Sequence, residues 1–160
     1  MKIYLAGPCD SDNRTLMVNI ADYVKFLYTG RYLGEVYCPW ELKIENAWDY
    51  TQESWAQMVF NKDVEAINTA DFVIMISVGR KSTAGTNWEQ GYAYALNKPV
   101  YVIQITDEPT SLMTYCGCKD FTSAGSDFEA IKKAIYGIFL DTTAEVPFDC
   151  GKNKCETVLT

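Results

Sequence analysis

Residues 71–105, DFVIMISVGRKSTAGTNWEQGYAYALNKPVYVIQI, contain two apolar runs, Phe72 to Ser77 and Pro99 to Ile105, separated by a helical stretch from Thr86 to Leu96. Both runs are apolar at consecutive rather than alternate positions, the pattern of strands covered on both faces. Reading outward toward the N-terminus, Tyr50 to Ala70 has helical spacing, with Trp55, Met58, Val59, Val64 and Ile67 on one face. Before it lie a short strand, Glu35 to Cys38, closed by Pro39, and a helix carrying Leu16, Ile20, Val24 and Leu27 that is expected to end at Gly30. The first run, Lys2 to Gly7 (KIYLAG), is a buried strand running into Gly7-Pro8. Toward the C-terminus, Ser126 to Leu140 is amphipathic, with Phe128, Ile131, Ile135 and Phe139 inward. Strand and helix alternate, which predicts an α/β domain: a doubly wound parallel sheet with helices on both faces. No repeat or linker divides the chain, so residues 1–160 are expected to form a single domain, with the polar tail from Asp141 unassigned.

Composition narrows the function. The chain has 160 residues, 48% of them hydrophobic and 22% charged, a globular mix that leaves no room for disorder or coiled coil. Its formal net charge of −7, with no basic stripe, argues against a polymeric nucleic acid as partner. The longest apolar run, Phe72 to Val78, is far short of the ~20 residues of a membrane span, so no membrane partner is expected. Met1 to Tyr4 enter a strand at once, without a signal-peptide layout, which predicts a cytoplasmic protein. The chain contains no histidine, which removes Ser-His-Asp and Cys-His mechanisms and every His-based metal site. Its six cysteines include Cys116 and Cys118, and Cys150 and Cys155, but zinc-knuckle spacing is not present on both sides. Reduced thiols, no metal and no cofactor are expected.

In open α/β sheets, ligands sit beyond the carboxyl ends of the strands, where the strand order reverses. Four segments fall there. Tyr4-Leu5-Ala6-Gly7-Pro8 lets backbone approach a ligand at Gly7. Lys81 to Tyr92 is a polar loop with Gly85 that passes into a helix, with Glu89 expected in its first turn. There the helix dipole would keep the carboxylate ionised, as a nucleophile requires. The structural alternative is a capping box in which Glu89 serves Thr86. In the third segment, Trp55 and Asp63 are eight residues apart, a little over two helical turns. Trp55 can wall a planar ring and Asp63 can exchange a proton with it, or the two can be core and solvated surface. The fourth, Pro109 to Met113, contains Ser111, whose ordinary role is a helix N-cap.

The order KIYLAGP, then W-x7-D, then an aspartate before a buried strand, then GTNWEQGYAYALNKPV, resembles the nucleoside 2-deoxyribosyltransferases from about Lys2 to Met113, most specifically over Gly85 to Val100. The resemblance implies a flavodoxin-like fold, assembly into a dimer or larger homo-oligomer, and retaining cleavage of the N-glycosidic bond of 2′-deoxynucleosides. It assigns the catalytic glutamate to Glu89, the tyrosine hydrogen-bonded to that glutamate to Tyr4, the aspartate that handles the leaving base to Asp63, and the tryptophan of the base pocket to Trp55. The chemistry suits these residue types. An oxocarbenium-like centre calls for an anionic oxygen beneath C1′, and a departing base calls for a proton. The expected partners are therefore a 2′-deoxynucleoside and a free nucleobase.

Two positions depart from the transferase pattern: Thr83 stands where many transferases carry aspartate, and Ser111 where they carry an asparagine that reaches a neighbouring subunit's sugar. The related 2′-deoxynucleoside 5′-monophosphate N-hydrolases carry phosphate-binding serines at both places. Thr83 and Ser111, with Asp12-Asn13-Arg14, are thus a candidate phosphate pocket, and a deoxynucleotide hydrolase is the alternative function. A non-catalytic nucleotide-binding module is a third reading, disfavoured because a pure binder has no need of Tyr4, Asp63 and Glu89 together.

Overall fold

The structure, a computed structural model, describes residues 1–32 and 34–144. Five strands form one sheet: β1 (Lys2–Ala6), β2 (Glu35–Tyr37), β3 (Phe72–Ser77), β4 (Val100–Gln104) and β5 (Asp120–Ser123), in the order β2-β1-β3-β4-β5. Every neighbouring pair is parallel. The helices are α1 (Arg14–Tyr32), α2 (Gln52–Thr69), α3 (Ala84–Ala95), the short α4 (Leu112–Cys116) and α5 (Phe128–Thr143). This is the flavodoxin-like, doubly wound arrangement, whose strand order reverses between β1 and β3.

Alternation along the strands divides the core. Ile3 and Leu5 of β1 and Ile74 and Ile76 of β3 join Met17, Ile20 and Val24 of α1 and Ile131 and Ile135 of α5 on one face. Tyr4 and Ala6, with Val73 and Met75, meet Ile67 of α2 and Ala93 of α3 on the other. All six β3 residues are buried, as a strand covered on both faces requires.

The structure shifts several sequence expectations. Thr83 adopts an extended conformation and its side chain accepts the Thr86 N–H at 3.2 Å, so α3 begins at Ala84 rather than Thr86. Helix α1 runs through Gly30 to Tyr32 instead of stopping there. Strand β5 carries no sequence signature, since it is a short, half-exposed edge strand without an apolar run, and Ser111 opens the short helix α4. Helix α5 continues to Thr143, which puts Asp141 inside it. The remainder of the tail, with Cys150 and Cys155, lies outside the described residues. Of the expected inward face of α2, only Ile67 is buried; Trp55 is exposed.

Candidate active site

Tyr4 lies in the middle of β1, buried on the face that α2 and α3 cover. From there its phenol O–H reaches α3 and donates to Oε1 of Glu89 at 2.8 Å. Tyr37, the last residue of β2, is in register with Tyr4, and their rings stack with centroids 5.5 Å apart and planes 20° apart. Its phenol donates to Oδ1 of Asp63, on α2, again at 2.8 Å. Two tyrosines on neighbouring strands thus meet two carboxylates carried by two different helices. Tyr37 did not emerge from the sequence. It sits in a three-residue strand, and only the β1–β2 register, which no local pattern encodes, brings it beside Tyr4. The one available signal was a tyrosine at the carboxyl end of the strand next to the one carrying Tyr4.

The electrostatics differ from the expectation for Glu89. With α3 starting at Ala84, Glu89 lies in the second turn, where the pull of the helix terminus has largely decayed. Burial is the main influence and lifts its titration from 4.5 to about 7; the Tyr4 hydrogen bond opposes the rise, and the negative field of Asp63 adds to it. Glu89 is therefore about half protonated at neutral pH rather than held fully ionised. It does not cap Thr86 either: the Thr86 N–H is taken by Thr83, and Thr86 Oγ1 donates to the Gly7 carbonyl at 3.2 Å. Burial also raises Asp63, against the Tyr37 hydrogen bond that lowers it. Both tyrosines are pushed far above the ordinary phenol range, chiefly by burial and then by the neighbouring carboxylates, so both remain protonated donors. Burial, and then the field of the same two carboxylates, raises the thiol of Cys9, just past β1, above its usual range.

The other sequence-derived candidates are distributed around this cluster. Gly7 is buried; a Cβ there would come within 2.5 Å of Met17 Cε, the movable end of a flexible side chain, and 3.3 Å of Ile76 Cβ, so a larger residue would have to displace Met17. At Gly85 a Cβ would meet only Thr83 Oγ1, at 3.9 Å, so packing leaves that position open. Thr83 Oγ1 accepts from the Thr86 N–H and pairs with Thr86 Oγ1 at 2.9 Å. Because the Thr86 hydroxyl proton goes to Gly7, the Thr83 proton is committed to Thr86. Ser111 caps α4, accepting from the Met113 N–H at 3.3 Å. Trp55 is 44% exposed and stacks on no other ring among the described residues. The structure brings together Tyr4, Asp63 and Glu89; no hydrogen bond or ring contact joins Trp55 or Ser111 to them within one chain. None of these residues lines the groove of about 670 Å³ between β5 and α5, whose wall includes Tyr101, Lys119 and Asp141.

A cluster of this kind, an ionisable carboxyl fixed by a phenol beside a second carboxyl, can attack an electrophilic carbon and exchange a proton with a leaving group. Comparisons with known proteins point the same way. The structure of a 2-deoxyribosyltransferase from Bacillus psychrosaccharolyticus is 27% identical, aligns over 87% of this chain and 96% of its own, and superposes with a TM-score of 0.66. A conserved protein from Enterococcus faecalis V583 (20% identity, 86% and 98% covered, TM-score 0.67) shares the fold. So does the CMP N-glycosidase of Clostridium botulinum (13% identity, 85% and 99% covered, TM-score 0.57). No curated relative matches the chain. The sequence profile described as nucleoside 2-deoxyribosyltransferase matches residues 3–145, and the chain belongs to that family.

Proposed function

We propose that this protein is a nucleoside 2-deoxyribosyltransferase that moves 2-deoxyribose from one base to another by double displacement at Glu89. The observation that carries the proposal is the 2.8 Å hydrogen bond from buried Tyr4 to one oxygen of Glu89, which leaves the other oxygen without a partner among the described residues. In the first step that carboxylate oxygen bonds to C1′, the C1′–N bond breaks, and the electron pair leaves with the base while Asp63 supplies its proton. In the second step a nitrogen of the incoming base attacks C1′, the ester bond to Glu89 breaks, and the acceptor's N–H proton returns to Asp63. Two inversions give net retention. No metal is needed, because a 2-deoxy sugar lacks the electron-withdrawing hydroxyl that would oppose the developing cation.

The alternative, hydrolysis of a deoxynucleoside 5′-monophosphate, finds less support. Thr83 has no spare proton to offer a phosphate oxygen. Asn13 directs its backbone N–H and its side-chain amide to Asp10, at 3.0 Å and 2.9 Å. Those bonds, the backbone one foremost, hold the Asp10 carboxyl below its usual range and so anionic. A fixed negative charge in the loop that leads into Arg14, the first residue of α1, opposes a dianion. Trp55 and the exposed rings of α2 and α3 fit a base site and a subunit contact that assembly of several chains would complete, with Ser111 reaching a neighbour's sugar. The cytoplasm is the compartment this reading expects.

Incubation with deoxyinosine plus adenine, and separately with deoxynucleotides, tests the reading. Formation of deoxyadenosine is expected. Release of free base from the monophosphates, with no exchange on the nucleoside, would replace the transferase by the hydrolase, and the absence of both would overturn the enzymatic account.

A further inference from the structure

We infer that Tyr37 is a positioning residue for this reaction: its phenol occupies Oδ1 of Asp63, so that the proton exchanged with the base is carried on Oδ2. The inference rests on the roles of Asp63 and Glu89 proposed above and adds the group that aims Asp63.

Three observations lead to it. First, Tyr37 and Tyr4 are register partners on adjacent parallel strands, so their side chains leave the sheet on the same face, and their rings stack at 5.5 Å. Each aromatic ring has few rotamers open to it, and stacking removes most of the remainder. The two phenol oxygens are thereby held at a set separation by the sheet rather than by flexible side chains. Second, the hydrogen bonds match: Tyr4 to Glu89 Oε1 and Tyr37 to Asp63 Oδ1, both 2.8 Å. Helices α2 and α3 each contribute one carboxyl, and the stacked pair couples the two to one reference frame. Third, among the described residues Tyr37 is the one hydrogen-bond donor to Asp63, and Oδ2 has no partner.

The chemistry then selects the oxygen. A phenol that stays protonated at neutral pH is an obligate donor toward Oδ1. A carboxylic acid accepts such a bond at its carbonyl oxygen and carries its own proton on the other, so protonated Asp63 presents O–H at Oδ2. After the proton leaves, the same bond stabilises the anion. The groups that face Asp63 are Tyr37 from β2, Tyr4 from β1, Glu89 from α3 and Cys9 from the loop after β1. On its own helix, the adjacent Lys62 is paired with Glu65 at 3.5 Å. Within this set, only Tyr37 donates a hydrogen bond to Asp63, so removing its hydroxyl has a defined sign.

The test uses the full chain with Tyr37→Phe, which keeps the ring and its stack on Tyr4. Carboxyl-¹³C NMR of aspartate-labelled protein follows the titration of Asp63 directly. Its midpoint is expected to rise by roughly half to one pH unit, the size of one neutral hydrogen bond. In the exchange assay kcat is expected to fall about tenfold while KM for the deoxynucleoside stays within about twofold, and the alkaline limb should move up by the same interval as the NMR midpoint. A role in packing alone would leave both the midpoint and the limb where they are in the parent protein, and that result overturns the inference even if kcat falls. If Tyr37→Phe does not fold, 3-fluorotyrosine at position 37, a stronger donor of nearly the same size, is expected to lower the Asp63 midpoint; an unchanged or raised midpoint overturns the inference. Loss of the functional reading has a different signature: neither exchange nor base release by the parent protein, with the NMR comparison still deciding whether Tyr37 governs Asp63.

Discussion

Glu89 is asked to be both an anion and a buried group, and the structure shows how the conflict is balanced. Burial lifts its titration from 4.5 to about 7, with Tyr4 supplying the opposing hydrogen bond. In the proposed reaction attack at C1′ needs the ionised form, so the acid limb of kcat/KM for exchange is expected at about pH 7, with low activity at pH 5. The same interval has a consequence for stability. A carboxyl that holds its proton more tightly when folded stabilises the fold below pH 4.5, and that contribution drains away as pH rises to about 7. Glu89→Gln removes the ionisation while its amide oxygen can still accept from Tyr4. It is expected to lower exchange by about a thousandfold or more and to raise unfolding free energy by about 1–3 kcal/mol at pH 8, with little effect at pH 4. Urea melts of both proteins at the two pH values check this; equal stability at pH 8 would mean that Glu89 is not desolvated as described.

At the scale of elements, the start of α3 decides where Glu89 stands. Thr83 supplies the cap, and Thr86 turns its hydroxyl back to Gly7 at the end of β1, so one short network fixes the helix to the strand that bears Tyr4. Thr83→Ala is expected to cost about 1 kcal/mol of stability, the ordinary loss of a Thr cap, measurable as a lower denaturation midpoint with an unchanged slope. Several of these features were legible in the sequence. The Phe72–Ser77 and Val100–Gln104 strands announce themselves because strands covered on both faces are apolar throughout, and the helix between them follows from its length and polar start. The alternatives at the start of α3 were harder to separate: Thr83 and Thr86 are both good caps, and choosing between them requires knowing that Gly7 lies above Thr86. That choice moved Glu89 from the first turn to the second, and the rise in its titration comes from burial, which no local pattern encodes. Strand β5 escaped because an edge strand with half-exposed residues carries no apolar signature, and Tyr37 escaped because its partner, Asp63, is 26 residues away on another element.

Across the whole molecule the two sides of the sheet are unequal. Helices α1 and α5 bury a larger core on one face than α2 and α3 bury on the other. Phe60 of α2 lies 5.4 Å from Trp88 of α3, which stacks on Tyr92 at 5.1 Å, and Phe60 and Trp88 are 48% and 46% exposed. Leu112 and Met113, directly after Ser111, are 71% and 82% exposed. Apolar surface gathered on the side that carries Asp63 and Glu89 is costly for an isolated chain and natural for a contact between copies. A site with its catalytic pair on one chain and its sugar contact on another would then be assembled only in the oligomer. Combined Phe60→Glu and Met113→Glu substitutions place charges in that contact without touching Tyr4, Asp63 or Glu89. Sedimentation velocity is expected to show the parent protein as a dimer or larger and the double variant as a monomer, with exchange reduced at least tenfold while the circular dichroism of the fold is retained. A parent protein that sediments as a monomer and is fully active would mean that one chain completes its own site, and Ser111 would then have to be counted as a helix cap alone.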